Sequence, residues 1–328
     1  MIDVCFYEAF EEEADELRRL LPASVSAMFT DRTVQEFIQE SGDETPPARL
    51  ISIRTQSRIP AQWSSELSGI LTRSTGYDHL LAYAASVSVV PAFGYLPLYC
   101  HRAVAEQAAL LWMALMRRLK SQIEQFSRFH RDGLTGIESE GKTLVVVGVG
   151  NIGYEVARIA RGLGMQVLGV DLHQNYDDIT YVSIDEALPQ ADVLVCAMDL
   201  NSANVGYFDL DKWERIKRGA VFVNISRGEL SPSTQLLSAL KQGQLGGVGL
   251  DTFDHEPVLA TALRSGTLPG NDPEAMAAIE LSQRPDCICT PHNAFNSREA
   301  VLRKSEHSIQ QVMHFLDHGR FLWPVPME

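Results

Sequence analysis

Two stretches of alternating short apolar runs and amphipathic segments divide the chain. In the first hundred residues Ile2–Tyr7, Val25–Phe29, Leu50–Arg54 and Gly69–Leu71 predict short buried strands. Helical spacing lies between them, as in Leu17, Leu20 and Leu21 behind the acidic run Glu11–Glu13, which we read as a solvated helix start. Such alternation predicts a parallel sheet with helical crossovers. Residues 87–99, with Pro91, Gly94 and Pro97, read as a loop or domain connection. A long helix is expected from Arg102 to Phe129, with Ala105, Ala108, Leu111 and Leu115 as its apolar stripe.

The second pattern begins at Lys142, with strand-like runs at Leu144–Val147, Gln166–Val170, Val193–Cys196, Ala220–Ile225, Gly247–Leu250 and Cys287–Cys289. Most are apolar throughout, as strands covered on both faces are. Helices fit at 151–163, 231–242 and 297–318, the last between a Ser297 cap and Gly319. That helix is expected to return to the N-terminal domain. The fold class predicted is α/β, with two parallel-sheet domains: a Rossmann cofactor domain over 102–296, inserted into a flavodoxin-like substrate domain formed by 1–101 and 297–328.

The segment VVVGVGNIG places Gly148, Gly150 and Gly153 between a Val-rich strand and a helix. Gly148 suits a tight turn, Gly150 lets a pyrophosphate approach the backbone, and Gly153 lets helix and strand pack closely. Asn151 and Ile152 open the helix, whose free N–H groups face the phosphates. Asp171 ends the next strand at the spacing a dinucleotide fingerprint requires. A carboxylate there accepts from a ribose diol and repels a 2′-phosphate, so the cofactor expected is NAD.

Composition narrows the partners. The chain has 328 residues and a formal net charge of −14, which argues against nucleic acid. An anionic substrate is not drawn in by the overall field, so it needs a local arginine or backbone amides. The N-terminus is acidic where a signal peptide would be basic, and no apolar run is long enough to span a bilayer. A cytoplasmic setting is expected. Cys5, Cys100, Cys196, Cys287 and Cys289 suit reduced thiols. Cys287, Cys289 and His292 lack a fourth ligand, so no metal is expected. Cys100–His101 resembles a nucleophile pair only by adjacency, and His79 reads as structural.

From RSTGYDHL at 73–80 to the final helix, the chain resembles the D-isomer-specific 2-hydroxyacid dehydrogenases. The segments AVAEQAALL, GKTLVVVGVGNIG, KRGAVFVNISRGEL, GGVGLDTFDHEP and TPHNAF follow in family order. The resemblance implies a site of Arg227, Glu256 and His292. Its chemistry fits reduction of a 2-oxo acid: an imidazole moves a proton near neutral pH, a carboxylate orients it, and a guanidinium binds the substrate carboxylate and polarises the carbonyl. It also implies a backbone cradle at Thr75 and Gly76, where the lack of a Cβ favours close approach, and a nicotinamide contact at Asp251. A homodimer through the cofactor domain is implied as well.

RSTGYDHL is most similar to the D-lactate dehydrogenase branch, which puts pyruvate/D-lactate first and glyoxylate or hydroxypyruvate second. Formate dehydrogenases of this superfamily carry Gln where this chain has Glu256, and the chain ends without the regulatory extension of many phosphoglycerate dehydrogenases. The competing class is an NAD(H)-sensing, corepressor-like protein without turnover. Three departures stand out. The segment 92–104 is long, with Tyr95 and Tyr99 as candidate substrate contacts. Residues 196–208 lack the usual proline and threonines. The stretch between Pro257 and Thr290 is expected to add a helix or flap near the site.

Overall fold

The computed structural model describes residues 2–327. They form two compact units, Met1–Cys100 with Asn296–Glu328 and His101–Phe295. The first unit begins with β1 (Val4–Phe6), α1 (Glu11–Leu20), β2 (Ala27–Phe29), α2 (Val34–Ser41), β3 (Leu50–Ile53), β4 (Gly69–Thr72), α3 (Asp78–Ser86) and β5 (Ala92–Gly94). Its strands are parallel in the order β2-β1-β3-β4-β5, the flavodoxin-like order. β1, β3 and β4 are buried along their whole length, which is why they read as unbroken apolar runs.

The second unit holds α4 (His101–Met116), α5 (Leu119–Phe126), β6 (Thr143–Val147), α6 (Asn151–Gly162), β7 (Gln166–Val170), β8 (Thr180–Tyr181), α7 (Ile184–Ala187), β9 (Val193–Cys196), α8 (Leu210–Arg215), β10 (Ala220–Asn224), α9 (Ser233–Lys241), β11 (Leu245–Leu250), α10 (Glu256–Ser265), α11 (Pro273–Gln283) and β12 (Cys287–Cys289). Its sheet runs β12-β11-β10-β9-β6-β7-β8, all parallel. Strand order reverses between β6 and β9, and ligands of such sheets bind at the carboxyl ends beside that reversal. The chain then returns to the first unit as α12 (Arg298–His318). Ser297 caps it by accepting from the Ala300 N–H, and Gly319 closes it in the left-handed region at φ 68.

Three expectations are corrected. The segment 87–99 contains a strand: Phe93, flanked by Pro91 and Gly94, pairs with β4 despite those breakers. The long helix is two, because Arg118 adopts φ 53 and turns the chain between α4 and α5. Glu11 and Glu12 are exposed at the start of α1, but Glu13 is buried at 4% exposure and ion-paired. The long stretch after Pro257 takes the helical form of the expected helix or flap, as α10 and α11. α11 packs on α9 and β12 through Ala275, Ala278 and Leu281, and Glu274 accepts from the Thr234 hydroxyl at 2.6 Å.

Candidate active site

In the second unit the glycine turn is built by contact. Gly148 has φ 90, and a Cβ there would lie 2.4 Å from the Met198 amide nitrogen. A Cβ on Gly153 would lie 2.0 Å from the Gly148 carbonyl oxygen, so α6 sits as close to β6 as two backbones allow. Before Gly150 there is open space, and no side chain caps the α6 N-terminus. Free N–H groups and open volume are what a pyrophosphate needs. Asp171, just past β7, accepts from the Val149 N–H at 2.6 Å and the His173 N–H at 2.8 Å. Its carboxylate therefore pins the turn as well as marking the strand end.

Arg227, Glu256 and His292 follow β10, β11 and β12 at their carboxyl ends. Asn224 shapes the first of these turns: its amide donates to the Arg227 carbonyl at 2.8 Å and to Ser231 Oγ at 2.7 Å, and its oxygen accepts from the Ser226 N–H. Gly228 sets the turn against its neighbour, since a Cβ there would meet the Phe253 carbonyl carbon at 1.8 Å. Arg227 is thereby held directly on the loop that leads into Glu256.

His292 Nδ1 lies 2.9 and 3.0 Å from the two carboxylate oxygens of Glu256, both residues being part-buried. A carboxylate on Nδ1 directs the other ring nitrogen outward. His292 has φ 51, a strained value for a residue with a Cβ. The strain is held by Asp251, which is 1% exposed. Asp251 accepts from the Thr290 hydroxyl at 2.5 Å and from the Asn293 and Ala294 N–H groups at 2.9 and 2.8 Å. Burial raises its pKa and these hydrogen bonds oppose the rise. Asn224 and Asp251 thus shape the loops of the site. Asn224 was not foreseen, although its place at the end of a buried strand was a signal.

Thr75 and Gly76 follow β4 in the first unit. The Thr75 hydroxyl donates to the Leu96 carbonyl at 3.1 Å and the Ser74 hydroxyl to the Gly76 carbonyl at 2.7 Å. With that hydroxyl engaged, the loop's N–H groups are what it offers a ligand. Arg73 anchors it from beneath. Its guanidinium is buried and donates to Glu13 at 2.8 Å, to Ser52 at 3.1 Å and to the Tyr7 and Glu8 carbonyls. Lys304 from α12 reaches the other Glu13 oxygen at 2.9 Å. This buried network escaped sequence reasoning; its one signal was that Glu13 stands four residues before Leu17, on the same helix face. Tyr95 packs edge-on to Tyr77 at 5.0 Å, and Tyr99 is buried at 4% exposure.

Among the described residues no group of three or more His, Cys, Asp or Glu is arranged to hold a metal ion. The cysteines are free, and burial pushes the Cys196 thiol up to about 12 and Cys289 up to about 11. Such thiols are poor nucleophiles. Among the same residues no helix is long and apolar enough to cross a membrane.

A family described as D-isomer specific 2-hydroxyacid dehydrogenase, NAD binding domain, matches residues 109–294. A D-lactate dehydrogenase of Escherichia coli (strain K12) is 30% identical over 66% of this chain and 67% of its own. One from Streptococcus agalactiae serotype V is 29% identical over 76% of each. The crystal structure of D-lactate dehydrogenase from Aquifex aeolicus complexed with NAD and lactic acid superposes with a TM-score of 0.83 at 25% identity, covering 98% of this chain and 99% of that one.

Proposed function

The chain belongs to the D-isomer-specific 2-hydroxyacid dehydrogenase family, and from that premise we propose how its own residues carry out the reaction. It is an NAD-dependent oxidoreductase acting on the CH–OH group of 2-hydroxy acids. The open face at Gly150, the uncapped start of α6 and the Asp171 carboxylate fit a dinucleotide, with Asn151 and Ile152 at the helix start. When bound, the nicotinamide cofactor supplies or accepts the hydride at the substrate's C2.

His292 is the acid/base. In the reductive direction its outward nitrogen gives a proton to the carbonyl oxygen as that oxygen becomes a hydroxyl. Glu256, on Nδ1, fixes the ring and stabilises the imidazolium before the proton leaves. Arg227 pairs with the substrate carboxylate and polarises the carbonyl. The Thr75–Gly76 loop of the first unit offers its amides for substrate binding. Asp251 holds the His292 turn and contacts the nicotinamide. The single observation that carries this reading is the Glu256–His292 pair at 2.9 and 3.0 Å.

Pyruvate, the product of D-lactate oxidation, is the reference substrate that the relatives' names suggest, with glyoxylate and hydroxypyruvate next. NADH oxidation with these three acids tests the assignment, and His292→Ala should lower kcat by about 10²–10⁴-fold while NADH fluorescence still reports binding. Near-wild-type turnover in that variant would remove histidine from the mechanism. Absence of turnover with any 2-oxo acid, despite tight NADH binding, would favour a sensor.

Pairing of two chains through the second unit is supported by an apolar face that includes Leu110, Met113, Ile123 and Phe126, the last 74% exposed. The free cysteines support a reducing, cytoplasmic setting.

A further inference from the structure

Both halves of the Glu256–His292 pair rest on left-handed backbone. His292 has φ 51 itself, and His255, the residue before Glu256, has φ 54. Asp251 holds the first of these turns through the Asn293 and Ala294 N–H groups. The second is met by a different acid, Asp272, which comes from the long stretch between Pro257 and Thr290.

His255 Nδ1 lies 2.7 Å from one Asp272 oxygen, and the other oxygen accepts from the Ala275 N–H at 2.9 Å and caps α11. That helix is firmly seated. Ala275, Ala278 and Leu281 are buried where it packs on α9 and β12, and Glu274 accepts from the Thr234 N–H at 3.1 Å and its hydroxyl at 2.6 Å. Thr234 opens the helix that follows the Arg227 turn, and β12 leads to His292. Asp272 therefore stands on an element anchored beside the other two loops of the site.

The start of α10, which carries Glu256, has no side-chain cap, and Pro257 leaves its first turn short of one N–H. The His255 N–H donates to Asp254 at 2.9 Å, and the His255 carbonyl accepts from the Val258 and Leu259 N–H groups at 2.9 and 3.2 Å. These bonds are local. The bond from the ring to Asp272 spans 17 residues and joins the turn to α11. Relaxation of His255 to the right-handed region would rotate φ by on the order of 100° and swing Glu256 off His292. The Asp272 bond raises the His255 pKa, burial opposes the rise, and the charges of Asp254, Asp272 and Glu274 add to it. The charge-assisted form of the bond is thereby favoured.

We propose that His255 is a positioning residue: bonded to Asp272, it sets the start of α10 so that the Glu256 carboxylate meets His292 Nδ1. Its bearing on turnover rests on the reading of Glu256 and His292 as the acid/base pair. With the His255 side chain half exposed, the bond adds little to global stability, and its effect is on geometry.

Three variants separate these effects. His255→Ala removes the ring, Asp272→Ser withdraws the acceptor but leaves α11 a cap, and His255→Asn keeps a donor on a residue that tolerates left-handed backbone. The first two should each lower kcat for 2-oxo acid reduction by about ten- to a hundredfold. KM and NADH affinity should stay within about twofold, and Tm should hold. Combining the two should cost no more than either alone, and His255→Asn should recover most of the loss. Proton NMR of the histidine-labelled chain supplies a readout without turnover. The low-field signal of the His292 Nδ1 proton, assigned by its loss in His292→Ala, should broaden in His255→Ala and Asp272→Ser. Unchanged kcat, losses that multiply in the double variant, a loss that tracks KM or Tm, or an unchanged signal overturns the positioning role. A signal that depends on His255 and Asp272 in a chain that reduces no 2-oxo acid leaves that role standing and overturns the acid/base reading.

Discussion

Glu13 shows how one side chain can be misjudged from its neighbours. Burial alone would raise its pKa, but the charges of Arg73 and Lys304 more than compensate and hold it at about 2. A carboxyl held below its ordinary value, here 4.5, stabilises the fold above that value and loses the contribution as pH falls toward the folded one. Glu13→Gln should therefore destabilise the first unit by about 3–5 kcal/mol at pH 7, since two buried cations lose their partner. The gap from wild type should close between pH 4.5 and pH 2, as urea unfolding followed at several pH values would show. A gap constant with pH would mean that Gln fails for reasons of packing. Locally only the helix face shared with Leu17 distinguished Glu13 from Glu11 and Glu12, because its burial depends on Arg73 and on Lys304 in the final helix. Arg227, Glu256 and His292 stood out in the sequence because each lies in a motif that resembles the family's, and each also follows a strand.

At the scale of elements, strands that are buried on both faces were legible, and boundaries set by single backbone angles were not. β5 has three residues, follows Pro91 directly and includes Gly94, and is held by its pairing with β4, a tertiary term. The break between α4 and α5 falls in a segment whose apolar spacing continues through Leu119, Ile123 and Phe126, so periodicity could not show the φ 53 turn at Arg118. Turns that carry the site depend on close approach, and Gly228 is the sharpest case. Gly228→Ala would force the Arg227 turn away from the Phe253–Asp254 backbone, where no flexible side chain can yield. Displacement by about 1 Å should lower kcat/KM by about a hundredfold. NADH affinity, set at the α6 turn, should stay within about threefold. An unaffected kcat/KM would show that the turn tolerates the shift.

For the whole molecule, the apolar face on α4 and α5 gives the pairing proposal a direct check. Ile123 and Phe126, three residues apart on α5, are 67% and 74% exposed. Changing both to Asp should turn a dimer into a monomer in sedimentation velocity, and a wild-type chain that already sediments as a monomer would contradict the proposal. The return of α12 to the first unit has a temporal consequence. A ribosome completes every residue of the second unit before it makes Lys304, so the N-terminal sheet emerges with Glu13 lacking one of its two cations. At about 5–20 residues per second that interval lasts roughly 10–40 s. The unit begun first is therefore finished last, and chaperone capture during synthesis should concentrate on its uncovered sheet.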